Sequence, residues 1–82
     1  MNNVILLGDI KNSVTIYKSI LVEDKNDHKY FVLQVEGGKI LFVQSFTKIF
    51  GKLYDKNLKN SLDGSQIVPM KNNAGKIFLD VI

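Results

Sequence analysis

Residues 30–46 read Tyr30-Phe-Val-Leu-Gln-Val-Glu-Gly-Gly-Lys-Ile-Leu-Phe-Val-Gln-Ser-Phe46. Two runs rich in β-branched and aromatic residues flank Gly37-Gly38, a pattern that predicts strands over Tyr30–Glu36 and Lys39–Phe46 joined by a tight turn. The length of that turn decides the fold, because side chains alternate along a strand and a slip of one residue exchanges the two faces. A two-residue turn groups Phe31, Leu33 and Val35 with Ile40, Phe42 and Phe46. A three-residue turn with a glycine bulge groups them with Leu41 and Val43, a wholly apolar face. The opposite face then carries Tyr30, Val32, Gln34, Ile40, Phe42, Gln44 and Phe46. The second register is preferred, since it separates a uniform core from a mixed surface.

On the N-terminal side, Val4–Ile10 is a short apolar run ended by Lys11-Asn-Ser13, expected as a strand buried on both faces. Val14–Glu23 follows with Val14, Ile16, Ile20 and Val22 at alternate positions, a strand of period two. The polar stretch from Glu23 to Lys29 predicts a hairpin loop near Asn26. On the C-terminal side, Ile49, Phe50, Leu53, Tyr54 and Leu58 recur at spacings of three and four, the apolar stripe of a helix. Thr47 serves as its N-cap, Lys56 and Lys59 complement the dipole in its last turn, and Asn60–Gly64 ends it. Gln66–Met70, the turn Lys71–Lys76 and Ile77–Ile82 complete a last hairpin, in which Pro69 marks an edge or a bulge. Strands dominate and a lone helix comes late. The expected fold is all-β: a five-stranded Greek-key OB-fold barrel over residues 1–82, with one helix between strands 3 and 4 and one segment continuing its neighbour.

Composition bounds the function. Eighty-two residues of which 45% are apolar support one modest core. Without cysteine, neither disulfides nor a thiolate metal site is available, so burial and a partner subunit are expected to hold the fold. The longest apolar runs, Val4–Leu7 and Ile40–Val43, fall far short of the roughly 20 residues of a membrane span. Met1-Asn-Asn3 lacks the basic start of a signal peptide, and a cytoplasmic location is expected. The net charge of +3 comes from 11 basic residues against 8 acidic ones, and every basic residue is a lysine. Lysine is a mobile point charge whereas arginine reads guanine bidentately, which points away from base-specific duplex recognition and leaves phosphate contact open.

Catalysis finds little support. The only histidine, His28, lies in a polar loop with no nucleophile near it in sequence, and reads as a solvated turn residue. Glu23, Asp24, Asp27 and His28 do not form a calcium loop, because the sixth and twelfth positions counted from Asp24 are Lys29 and Val35 rather than glycine and glutamate. None of the pairs Gly38-Lys39, Gly51-Lys52 and Gly75-Lys76 is followed by serine or threonine, which excludes a P-loop. Gly64-Ser65 lacks the second glycine of a nucleophile elbow. No enzymatic activity, cofactor or metal is expected.

What remains is a set of aromatics interleaved with lysines on strands. Tyr17 and Phe78 read as ordinary packing residues, and Lys52 and Lys56 as the solvated face of the helix. The mixed face around Tyr30, Phe42, Gln44 and Phe46 has two readings, ordinary barrel and interface packing or a stacking platform with Lys18, Lys39 and Lys48 placed to meet phosphates, and the glutamines and lysines among the rings favour the second.

Asn2-Asn-Val-Ile-Leu-Leu-Gly8 resembles the opening strand of the bacterial single-stranded DNA-binding proteins. Ile40-Leu-Phe-Val-Gln-Ser-Phe46, Thr47-Lys48, the helix, and Asp63-Gly-Ser-Gln-Ile67 follow in the order and spacing of that family's third strand, helix and fourth-strand lead-in. The resemblance implies that Phe46 is the stacking residue closing strand three and that Lys48 is the lysine beyond it. Ile40 and Phe42 stand where the family often has a tryptophan and a basic residue, so stacking shifts to Phe42. The sequence has no tryptophan and short loops at Gly37-Gly38 and Lys71–Lys76, which implies a smaller footprint and lower affinity. The acidic C-terminal tail is not expected in a chain ending Phe78-Leu-Asp-Val-Ile82, nor is partner recruitment through one. A minimal, tail-less member is thus expected, binding single-stranded DNA without sequence preference in replication, recombination or repair, as a homodimer or homotetramer. Two alternatives stand beside it: an OB-fold interaction or assembly module without nucleic-acid binding, and an RNA-binding OB-fold.

Overall fold

The computed structural model describes residues 3–59 and 62–82, the side chains of residues 57–59 excepted. Asn2 of the opening motif, Asn60 and Ser61 of the expected helix stop, and the side chains of Leu58 and Lys59 therefore lie outside the described residues. The elements are β1 (Val4–Ile5), β2 (Val14–Glu23), β3 (Lys29–Val35), β4 (Lys39–Gln44), α1 (Lys48–Lys59), β5 (Gln66–Lys71) and β6 (Ile77–Val81). They form a mostly β structure, a curled mixed half-barrel sheet with one helix. The order across the sheet is β1-β4-β3-β2-β5-β6. Two expectations are corrected: six strands are present rather than five, and the helix follows the fourth strand rather than the third.

The β3–β4 hairpin adopts the register of the three-residue turn, with Phe31 opposite Val43 and Leu33 opposite Leu41. All four, together with Val35, are fully buried. The loop Glu36–Gly38 holds both glycines in the left-handed region, Gly37 at φ 83° and Gly38 at φ 71°, a conformation that L side chains disfavour. Glu36 Oε1 accepts a hydrogen bond from Thr15 N at 3.1 Å, fastening this turn to β2.

The first expected strand is cut short. Val4 and Ile5 pair in parallel with Ile40 and Leu41. Asp9 N then donates to Leu6 O at 2.9 Å while Leu6 N donates to Asp9 Oδ2 at 3.1 Å, closing a 3-10 turn over Leu7–Asp9 where a strand to Ile10 was expected. A short acid after glycine can satisfy a backbone donor locally, and here it competes successfully with the ladder.

β2 has the expected limits but not the expected single apolar face. Ile16 pairs with Val35 and Lys18 with Gln34, so Tyr17 is an extra residue, a β-bulge. Up to Ile16 the apolar residues face the core; beyond the bulge the parity inverts. Ile20 and Val22 pair with Val32 and Tyr30 on the outer face, while Ser19 and Leu21 take the parity of Leu33 and Phe31, Leu21 staying 36% exposed. Ile16 is fully buried and Ile20 is 53% exposed. Tyr17 and Phe78, expected in packing roles, are both exposed.

α1 presents the expected stripe, with Ile49, Phe50 and Leu53 buried. The ring centroids of Phe50 and Phe31 are 5.1 Å apart, and Tyr54 stacks on Phe50 at 5.8 Å. Thr47 caps the helix, its Oγ1 accepting from Phe50 N at 3.3 Å and donating to Gln44 O at 2.7 Å. Lys52 is exposed as expected and Lys56 is half-buried, and each also has a bonding partner near the end of the chain. Lys52 Nζ donates to both oxygens of Asp80 at 2.7 Å, and Lys56 Nζ donates to the main-chain oxygen of Ile82 at 2.9 Å. One turn apart, the two lysines clamp α1 onto β6 and the residue that follows it. Pro69 lies in β5 opposite Leu79, past the two residues through which β5 meets β2, so its missing N–H removes no bond to that strand. Among the described residues, no helix is long and apolar enough to cross a membrane.

Candidate nucleic-acid interface

Because β2 changes parity at Tyr17, the outer face of the three-stranded segment is assembled in cross-strand rows. Val22, Tyr30 and Gln44 form the row nearest the β2–β3 loop, Ile20, Val32 and Phe42 the next, and Lys18, Gln34 and Ile40 the third, which Val4 of β1 extends. Tyr30 and Phe42 meet diagonally, with ring centroids 6.2 Å apart and planes inclined by 58°. Phe42 is 45% exposed and Phe46, in the turn after β4, is 84% exposed. Such exposure leaves the Phe46 ring with little to stabilise in the fold.

A groove of about 540 Å³ opens at the loop end of this face, lined by Asp24, His28, Lys29, Tyr30, Phe42, Gln44, Ser45 and Phe46. The structure thus brings together four of the expected site residues, Tyr30, Phe42, Gln44 and Phe46. It does not bring the lysines with them. Lys39 stands five positions along β4 from Gln44, about 17 Å at the usual strand rise, and has the parity of the core face. Lys18 is on the outer face but opposite Gln34, four positions from Tyr30 and about 13 Å away. Lys48, exposed at the first position of α1, lines a neighbouring concavity with Leu7 and Phe78.

Sequence reasoning missed the lip of the groove. Asp24 Oδ1 accepts from Asn26 N at 2.8 Å and from His28 N at 3.0 Å, folding the loop as an Asx-type turn. His28 Nδ1 lies 3.5 Å from Asp24 Oδ2, with its side chain 75% exposed. The backbone amides of His28 and Asn26, aided by the His28 ring, hold the Asp24 carboxyl below its ordinary range. This end of the groove accordingly carries an anion, and Lys29 lines the groove with its ammonium turned toward the helix. Lys29 Nζ also sits 5.8 Å from the Tyr54 ring centroid, so its stem spans from β3 to the helix. The spacing Asp24-x-Asn26-x-His28 was the legible signal for this turn, though not for its place beside the aromatics.

Chemically, the groove offers aromatic faces, one amide able to donate and accept, and few charges. That suits planar heterocycles rather than phosphates, which would find their cations outside it. No protein-family model, curated protein or solved structure matches this chain.

Proposed function

We propose that this chain is an OB-fold protein that binds single-stranded DNA without sequence preference, stacking bases on Phe42 and Phe46 beside Tyr30. It acts in the cytoplasm, in replication, recombination or repair, as a homo-oligomer and without catalysing a reaction. The observation that carries this reading is the convergence of Tyr30, Phe42, Gln44 and an 84% exposed Phe46 on one groove. An exposed ring of that kind has its natural use as a stacking surface, worth roughly 1–3 kcal/mol per base.

The strand pairing also favours an OB barrel. Set β1 aside, and the helix falls between the third and fourth of the remaining strands, while β2, bent at its bulge, pairs with both β3 and β5. The groove then lies on the face of the second and third barrel strands, where OB-folds take oligonucleotides. The barrel is open because β4 pairs with β1 rather than with β6. RNA would enter the same groove, since stacking does not read the sugar.

Fluorescence-anisotropy titration of a labelled poly-dT oligonucleotide at two salt concentrations, against duplex of equal length, tests the reading. Salt-sensitive binding to the single strand supports it, and no binding at low salt contradicts it.

The outer face also favours a second reading, an assembly module. Ile20, Val32 and Phe42 form an apolar band across three strands, and Lys18 is the one charge in the three cross-strand rows. Depletion of charge around aromatics marks interface cores. On that reading the mass in solution rises with concentration and oligonucleotides have no effect on it.

A further inference from the structure

We propose that the groove is the first stretch of a longer single-strand track that runs along the open seam of the half-barrel and ends between Lys11 and Lys71. This rests on the nucleic-acid reading above and adds the route and the phosphate-binding cations that the groove itself lacks. Four concavities follow one another, each sharing lining residues with the next. The groove shares Phe42 and Gln44 with a second hollow over β1. That hollow shares Leu7 and Thr47 with a third, between the start of α1 and β6. The third shares Leu7, Gly8 and Ile77 with a fourth, against the β5–β6 hairpin. The 3-10 turn Leu7–Asp9, standing where a longer first strand was expected, forms the saddle over which the track passes.

Its electrostatics are graded. Among the described residues, Asp24 at the starting end is the only acid lining the four concavities, and the saddle turn carries the exposed Asp9, whose Oδ2 accepts from Leu6 N. Lys48 lines the third hollow and Lys11 and Lys71 the fourth, with no carboxylate among their lining residues. Phosphates leaving a groove that holds bases would therefore meet cations in sequence. Apolar surface accompanies the lysines, since Ile77 is 63% exposed and Phe78 and Met70 pair across the hairpin in the open. Gly8 keeps the saddle low: a Cβ there would meet nothing within 4 Å.

The test compares wild type, the double variant Lys11→Ala/Lys71→Ala, and Gly8→Leu, which places bulk on the saddle. Each is titrated with dT oligonucleotides of roughly four and twelve nucleotides, both within the range of site sizes for one OB-fold. The track predicts that wild type binds the longer strand more tightly and with a steeper salt dependence. Both variants should reduce the longer strand toward the affinity of the shorter one, which they leave unchanged. The double variant should flatten the salt slope for the longer strand by about 1.4, at roughly 0.7 for each phosphate that is no longer neutralised. If the variants bind the longer strand as wild type does, the track is wrong and the groove reading stands. If neither length binds to wild type, the groove reading itself has failed and the track with it.

Discussion

Lys52 Nζ lies 2.7 Å from both carboxylate oxygens of Asp80, joining residues 28 apart in sequence and holding α1 against β6. The bond from Lys52 is the main reason that the Asp80 carboxyl titrates below its ordinary range. A depressed carboxylate stabilises the fold fully above its unfolded pKa, near 3.8, and that contribution drains away as pH falls through the lower folded value. Lys52 is 57% exposed, so solvent screening keeps the contribution small.

Asp80→Asn should therefore lower unfolding stability at pH 7 by less than about 1 kcal/mol. The gap between wild type and variant should narrow below pH 3.8. Urea denaturation at pH 7 and pH 3 checks both points. Equal stability at pH 7, or a gap that persists in acid, would show that the bond contributes nothing to the fold.

Leu41 and Phe42 are neighbours on opposite faces of β4. Leu41 is fully buried and Phe42 is 45% exposed. Leu41→Ala should cost about 2–5 kcal/mol of stability, whereas Phe42→Ala should cost far less and weaken oligonucleotide binding instead. Chemical denaturation of the two variants separates them. The reverse order would mean that the hairpin register is off by one residue.

Lys48 follows the exposed ring of Phe46 and lies on the third hollow of the track. Lys48→Ala should leave melting unchanged and reduce the slope of log affinity against log salt by roughly 0.7, the value for one neutralised phosphate on a single strand. Affinity measured at four or five salt concentrations gives that slope. An unchanged slope means that Lys48 touches no phosphate.

Much of this fold could be read from residues 30–46, because only one register gives Phe31, Leu33, Val35, Leu41 and Val43 a common face, and all five are buried. The bulge at Tyr17 could not. Inserting one residue between Ile16 and Ile20 leaves the period of two intact on paper while sending the later pair to the other face. That single inversion creates the apolar band beneath the site. The bonds of Lys52 and Lys56 were not legible because their partners, Asp80 and Ile82, come from the far end of the chain. The site was legible in Tyr30 and Phe42, whose strand positions set their face, whereas Phe46, expected at the end of the strand, stands in the turn after β4. It was not legible in Lys18 and Lys39, because parity alone does not say which end of a sheet carries the groove. The groove opens at the end where the Asp24 turn folds, beside Tyr30 and Gln44.

On the nucleic-acid reading, Phe46 stacks on a base. The most direct measurement is the affinity of wild type and Phe46→Ala for one labelled poly-dT oligonucleotide at a single salt concentration, with thermal melting of both proteins alongside. A loss of roughly 1–3 kcal/mol in binding is predicted. Melting should be unchanged, because Phe46 is 84% exposed. Equal affinity with equal melting would contradict the stacking role and leave the outer face of the sheet to a protein partner.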